Sequence, residues 1–129
     1  MVEKEVAEGG SMANAAIVVM WGAHIPGREL KSLELFQEGM QFFAKLKEKG
    51  EIESVETVIL RNPGADLVGF NIIRGDREKL LKVQNSPEAR RFDFRSGLLF
   101  HNFRTVEAFI GDGLQQMMTE WASVAKELG

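Results

Sequence analysis

Residues Glu53–Asp76, ESVETVILRNPGADLVGFNIIRGD, constrain this chain more than any other stretch. They read as two strands, Ser54–Arg61 and Leu67–Arg74, folded back on each other through Asn62-Pro63-Gly64-Ala65-Asp66. Proline presets φ at the second position of a turn, and glycine accepts the positive φ that a type II turn needs next. So short a connection suits a hairpin and not a crossover. A strong helical pattern lies on either side, so the hairpin is the middle of an α+β unit.

The polar, glycine-containing start, Met1–Asn14, reads as a tail outside the fold, which then occupies residues 15–129 as one domain. Ala15–Ala23 is the first strand. Ile17, Val19 and Trp21 alternate with Ala16, Val18 and Met20, so both of its faces are apolar and it belongs at the centre of a sheet covered on both sides. From Arg28 to Lys49 the apolar residues Leu30, Leu33, Phe36, Met40, Phe43 and Leu46 recur at three- and four-residue steps, the mark of a helix with one buried stripe. Gly50 stops it. Gly39, inside it, either admits close packing on the sheet or is simply tolerated.

Beyond the hairpin, Asp76 is a good cap for a helix over Arg77–Gln84. Ser86-Pro87-Glu88 starts another, with proline at the first helical position, running to about Gly97. His101–Gly111 reads as the fourth strand. Asp112-Gly113-Leu114-Gln115 has capping-box form ahead of a last helix with Leu114, Met117, Met118, Trp121, Val124 and Leu128 on one face.

The order β-α-β-β-α-β-α predicts a ferredoxin-like split β-α-β fold, an antiparallel sheet with helices on one side and an added C-terminal helix. The alternation divides the strand residues into two sets. Val58, Leu60, Val68, Phe70, Ile72, Val106, Ala108 and Ile110 form a set that is apolar apart from Glu56 and Arg104 at strand ends, expected to face the helices. Val55, Thr57, Ile59, Gly69, Asn71, Ile73, Phe103, Thr105, Glu107 and Phe109 form the opposite set, apolar with isolated polar residues. That second set is too apolar for a solvated face. Its simplest cover is the same sheet of a second copy.

The element order, the two-faced first strand and the Ser86-Pro87-Glu88 break resemble the dimeric α+β barrel superfamily, which includes antibiotic-biosynthesis monooxygenases, muconolactone isomerases and stress-responsive barrel proteins. The resemblance spans about Ala15–Gly111 and rests on architecture, not on a catalytic motif. It implies a homodimer joined through the open sheet face and enclosing a cavity for a small, often aromatic ligand. The chemistry it implies is cofactor-independent oxygenation, isomerisation or proton transfer.

On the expected inward face, Glu107 sits among Phe103, Phe109 and other apolar residues, where desolvation would raise its pKa and suit it to act as a general base. The other reading of Glu107 is an ion pair with an arginine or a place at the barrel mouth. His24, on the loop after the first strand and near Trp21, is the second catalytic candidate; its alternative is a loop histidine facing water. Trp21, Thr57, Asn71, Phe103 and Thr105 are candidate ligand contacts, the polar ones orienting a molecule in a mostly apolar pocket.

Composition excludes several classes. The 129 residues contain no cysteine, so disulfides, thiolate zinc sites and cysteine nucleophiles are out. The two histidines have none of the usual metal-ligand spacings, and neither metal nor cofactor is expected. A net charge of −3 leaves no basic footprint for nucleic acid. An RNA-recognition domain shares the fold but needs exposed aromatics and basic flanks that this sequence lacks. No apolar run is long enough to span a membrane, and the expected location is the cytoplasm. A non-catalytic ligand-binding or regulatory module on the same scaffold is the alternative to an enzyme.

Overall fold

In the computed structural model, which describes residues 13–61 and 64–129, β1 (Ala15–Trp21) is the central strand of a four-stranded antiparallel sheet. It lies between β3 (Gly69–Gly75) and β4 (Arg104–Ala108), with β2 (Ser54–Ile59) outside β3. The order β2-β3-β1-β4 is that of a ferredoxin-like α+β fold. Helices α1 (Glu29–Glu48), α2 (Arg77–Gln84) and α3 (Pro87–Leu99) follow the expected sequence, and α4 (Gly111–Leu128) is the addition.

Local signals set most element ends. The side chain of Asp76 accepts from the Lys79 amide and that of Ser86 from the Ala89 amide, so both caps act as the sequence predicts. Helix α1 ends in a Schellman pair, Glu51 N–H to Leu46 O at 2.9 Å and Gly50 N–H to Lys47 O at 3.0 Å, which requires the positive φ of 75° at Gly50. Gly22 ends β1 where two backbones close in; a Cβ there would come within 2.5 Å of the Ala65 carbonyl oxygen.

Four expectations need correction. The hairpin strands and β4 are shorter than predicted, although Leu60 N–H still bonds to Val68 O at 2.9 Å one step past the ladder. Asn62 and Pro63 of the predicted turn, and Met1–Met12 of the predicted tail, lie outside the described residues. The buried stripe of α1 is rotated: Ser32, Leu35 and Leu46 are buried, whereas Leu30 and Leu33 are exposed. Helix α4 starts at Gly111 with Ile110 at the cap position and no side-chain cap bond, so the Asp112 capping box does not form.

The largest correction concerns the sheet faces. The core joins Ala15, Ile17 and Ile73 to Leu46, Ile52 and Leu80, with Val19, Val55, Phe42, Phe43 and Val83 packed against them. Register places Thr57 opposite Asn71, Val19 opposite both Asn71 and Thr105, and Ile17 opposite Glu107. The set with isolated polar residues is therefore the helix-covered one. The more apolar set is the open face, where Val18 has Ile72 on one side and Val106 on the other, and its charges are Glu56, Arg74 and Arg104.

Candidate functional site

Between the helix layer and the sheet lies a cavity of about 120 Å³. Its floor is alternate residues of the sheet: Ile17 and Val19 from β1, Asn71 and Ile73 from β3, and Phe103 and Thr105 at β4. Helix α1 contributes Leu35, Gly39, Phe42, Phe43 and Leu46, and α3 contributes Ala89, Phe92, Asp93 and Ser96. Both groups recur at three, four or seven residues, so each is one side of its helix. Helix α2 adds Leu80, Val83 and Gln84. Phe42 and Phe92 stack across α1 and α3 with ring centroids 5.0 Å apart.

The wall is apolar except at a few points, and the polar groups there are incompletely satisfied. Asn71 is 7% exposed; its Oδ1 accepts from Thr57 Oγ1 at 2.6 Å, and its amide nitrogen has no partner among the described residues. Thr105 Oγ1 is buried and likewise meets no partner there. Asp93 is half-buried, and its desolvation raises the carboxyl above its ordinary pKa. No donor among the described residues reaches it, and no Lys, Arg or His lines the cavity.

Beside the cavity, Arg95 clamps Glu38 with two bonds of 2.8 and 3.1 Å, tying α3 to α1. The Arg95 hydrogen bonds hold the Glu38 carboxyl below its ordinary pKa.

The sequence candidates divide clearly. Asn71, Phe103 and Thr105 line the cavity, with Thr57 immediately behind Asn71. Trp21 is buried outside it, against Phe36 and Phe100 at centroid distances of 6.2 and 6.3 Å. Glu107 belongs to the helix-side set but is exposed at the β4 edge, where it pairs with Arg77 at 3.3 Å. The burial expected of it is not present. His24 is exposed beyond the other end of β1, with Nε2 3.5 Å from Glu29. The structure thus brings four polar or aromatic candidates to one place and leaves the two acid–base candidates outside it.

Asp93 was not among the sequence candidates. In ARRFDF it looks like part of a charged helix surface. Its only sequence signal is spacing: Ala89, Phe92, Asp93 and Ser96 fall on one helical face, and Asp93 is the charged member of an otherwise small or apolar stripe. No group of three or more His, Asp or Glu side chains among the described residues is placed to hold a metal ion. No helix among them is long and apolar enough to cross a membrane.

The chain is similar to a crystal structure of a dimeric protein of unknown function and ferredoxin-like fold from Bacteroides fragilis. The identity is 15%, the TM-score is 0.54, and the match covers 74% of this chain and 95% of that one. Likeness at that identity concerns the fold. No protein-family model and no curated protein matches the chain.

Proposed function

We propose that the protein is a homodimer that binds a small, largely apolar molecule in each subunit's cavity. The observation that carries this reading is the apolar cavity between sheet and helices with the Asn71 amide and the buried Thr105 hydroxyl in its wall. Leaving the buried Thr105 hydroxyl unpaired costs about 1–3 kcal/mol, so a ligand that bonds to it recovers that energy on binding. Asn71, Phe103 and Thr105 enter as ligand contacts. Glu107 and His24 have no part in this cavity.

Two observations support the dimer. The open sheet face presents Val18, Phe70, Ile72 and Val106, half-buried or exposed with no described helix over them, and a contiguous apolar surface of this kind marks an interface. The B. fragilis protein of the same fold is dimeric. Joining two such faces buries the sheets against each other and leaves each cavity inside its own subunit. A cytoplasmic setting belongs to the same proposal, since a cysteine-free chain needs no oxidising compartment.

Native mass spectrometry of the protein purified from its source host tests the reading. The expected result is a dimer that carries extra non-covalent mass, released on denaturation. A monomer at tens of micromolar would remove the dimer. A bare dimer whose melting temperature no single-ring compound raises would remove the ligand site. Turnover of the released compound would separate an enzyme from a non-catalytic binding module.

A further inference from the structure

Asp93 narrows the chemistry of the ligand, and this step rests on the cavity reading above. An ionisable group in an apolar wall is stable only with a partner, or else it gives up its charge. Asp93 has no partner among the described residues. The neighbouring cation, Arg95, already holds Glu38 with both its terminal nitrogens. Everything else around the cavity is neutral: Gln84 and Ser96 from the helices, Asn71 and Thr105 from the sheet.

Size sets the second limit. The cavity holds about 120 Å³, and an apolar protein cavity of about 150 Å³ takes up benzene. A single six-membered ring is the natural occupant, and the rings of Phe42, Phe92 and Phe103 offer it faces and edges.

Charge sets the third. With one carboxyl and no cation in the wall, an anionic ligand would meet repulsion with nothing to offset its desolvation. A hydroxyl group on the ring, by contrast, donates to the Asp93 carboxylate and supplies its missing partner. We propose that the cavity selects a neutral single-ring compound bearing a hydroxyl donor, a phenol or ring enol, with the hydroxyl on Asp93 and the ring against the phenylalanines.

Phenol, toluene and benzoate are the probes, titrated into the intact protein by calorimetry at pH 7. A hydrogen bond to a charged acceptor predicts that phenol binds roughly ten- to a hundredfold more tightly than toluene, with benzoate weakest. Asp93→Leu should abolish the preference for phenol over toluene, and Asp93→Asn should relieve the exclusion of benzoate. Far-ultraviolet circular dichroism and a thermal melt check that both variants fold, which loss of an unpaired carboxyl favours. Equal wild-type affinity for phenol and toluene would overturn the assignment to Asp93 while keeping the cavity. So would a phenol preference that survives Asp93→Leu. Failure of all three probes to bind would overturn the cavity reading itself.

Discussion

Thr57 Oγ1 donates a 2.6 Å hydrogen bond to Asn71 Oδ1 across the β2–β3 ladder, where the two residues are register partners. The bond consumes the acceptor of a side chain that is almost wholly buried, and so orients its amide donors away from Thr57. Thr57→Val keeps the shape and removes the donor. It should destabilise the protein by about 1–3 kcal/mol, the cost of an unpaired buried acceptor, whereas Thr57→Ser should lose less. Urea unfolding decides; a valine variant as stable as the parent would mean that Asn71 is held by something else.

Gly39 lies in the cavity wall, and a Cβ added there meets nothing within 4 Å. Close packing on the sheet is therefore not its reason. Gly39→Ala should stabilise α1 by about 1 kcal/mol through helix propensity alone, seen as a higher urea midpoint at unchanged slope. Gly39→Leu should fill the cavity and weaken ring-compound binding at least tenfold. Undiminished binding in the leucine variant would place the ligand elsewhere.

Asp93 and Glu38 are linked to pH with opposite signs. Burial raises the Asp93 carboxyl above 3.8, so the folded chain holds that proton more tightly than the unfolded one. Stability then falls as pH rises from the ordinary value through the raised one, and the penalty is complete above it. Asp93→Asn should be more stable than the parent at pH 7, with the difference gone near pH 3. Glu38, lowered by Arg95, contributes stability above its ordinary value of 4.5 that is lost as pH falls through its lower folded pKa. Its contribution is small because the pair is exposed. Urea midpoints at several pH values for Asp93→Asn test the sign; a gain that persists at pH 3 contradicts it.

Val106 stands beside Val18 on the open face and points away from the core. Val106→Glu should leave the subunit folded, with unchanged circular dichroism, but place a carboxylate on the proposed sheet-to-sheet interface. Light scattering should find the parent dimeric and the variant monomeric at tens of micromolar. A variant that stays dimeric would move the interface off this face.

The order of the elements and the helix caps could be read from the residues, because Asp76, Ser86-Pro87 and Gly50 act on their own neighbours. Which sheet face the helices cover could not. Both faces are apolar enough to be buried, and isolated polar residues ordinarily mark the less covered one. Here Asn71 and Thr105 border a cavity under the helices, with Thr57 bonded to Asn71, while the open face is apolar apart from Ser54, Glu56, Arg74 and Arg104. Binary patterning measures burial in the working assembly, not distance from the subunit's own helices. The same limit hid Asp93, whose neighbours in space come from α1, α2 and the sheet, and misplaced Glu107, whose partner Arg77 starts a helix far along the chain.

Helix α4 presents another exposed apolar surface. None of its residues is buried, yet Leu114, Met118, Trp121 and Leu128 form one apolar side, with Trp121 63% exposed. So amphipathic a helix gains little from lying in water. The expectation is that this apolar side packs on the partner in the proposed dimer. Trp121→Ser touches little within one subunit, so its effect on subunit stability should stay within about 0.5 kcal/mol. At an interface the loss of a buried tryptophan costs about 2 kcal/mol or more, and a homodimer loses one from each subunit, so the dimer should dissociate at roughly a thousandfold higher concentration. Dilution series by light scattering, set beside the urea midpoint, separate the two effects. A variant with unchanged dissociation would leave α4 outside the dimer interface, and one that unfolds early would give Trp121 a role inside its own subunit.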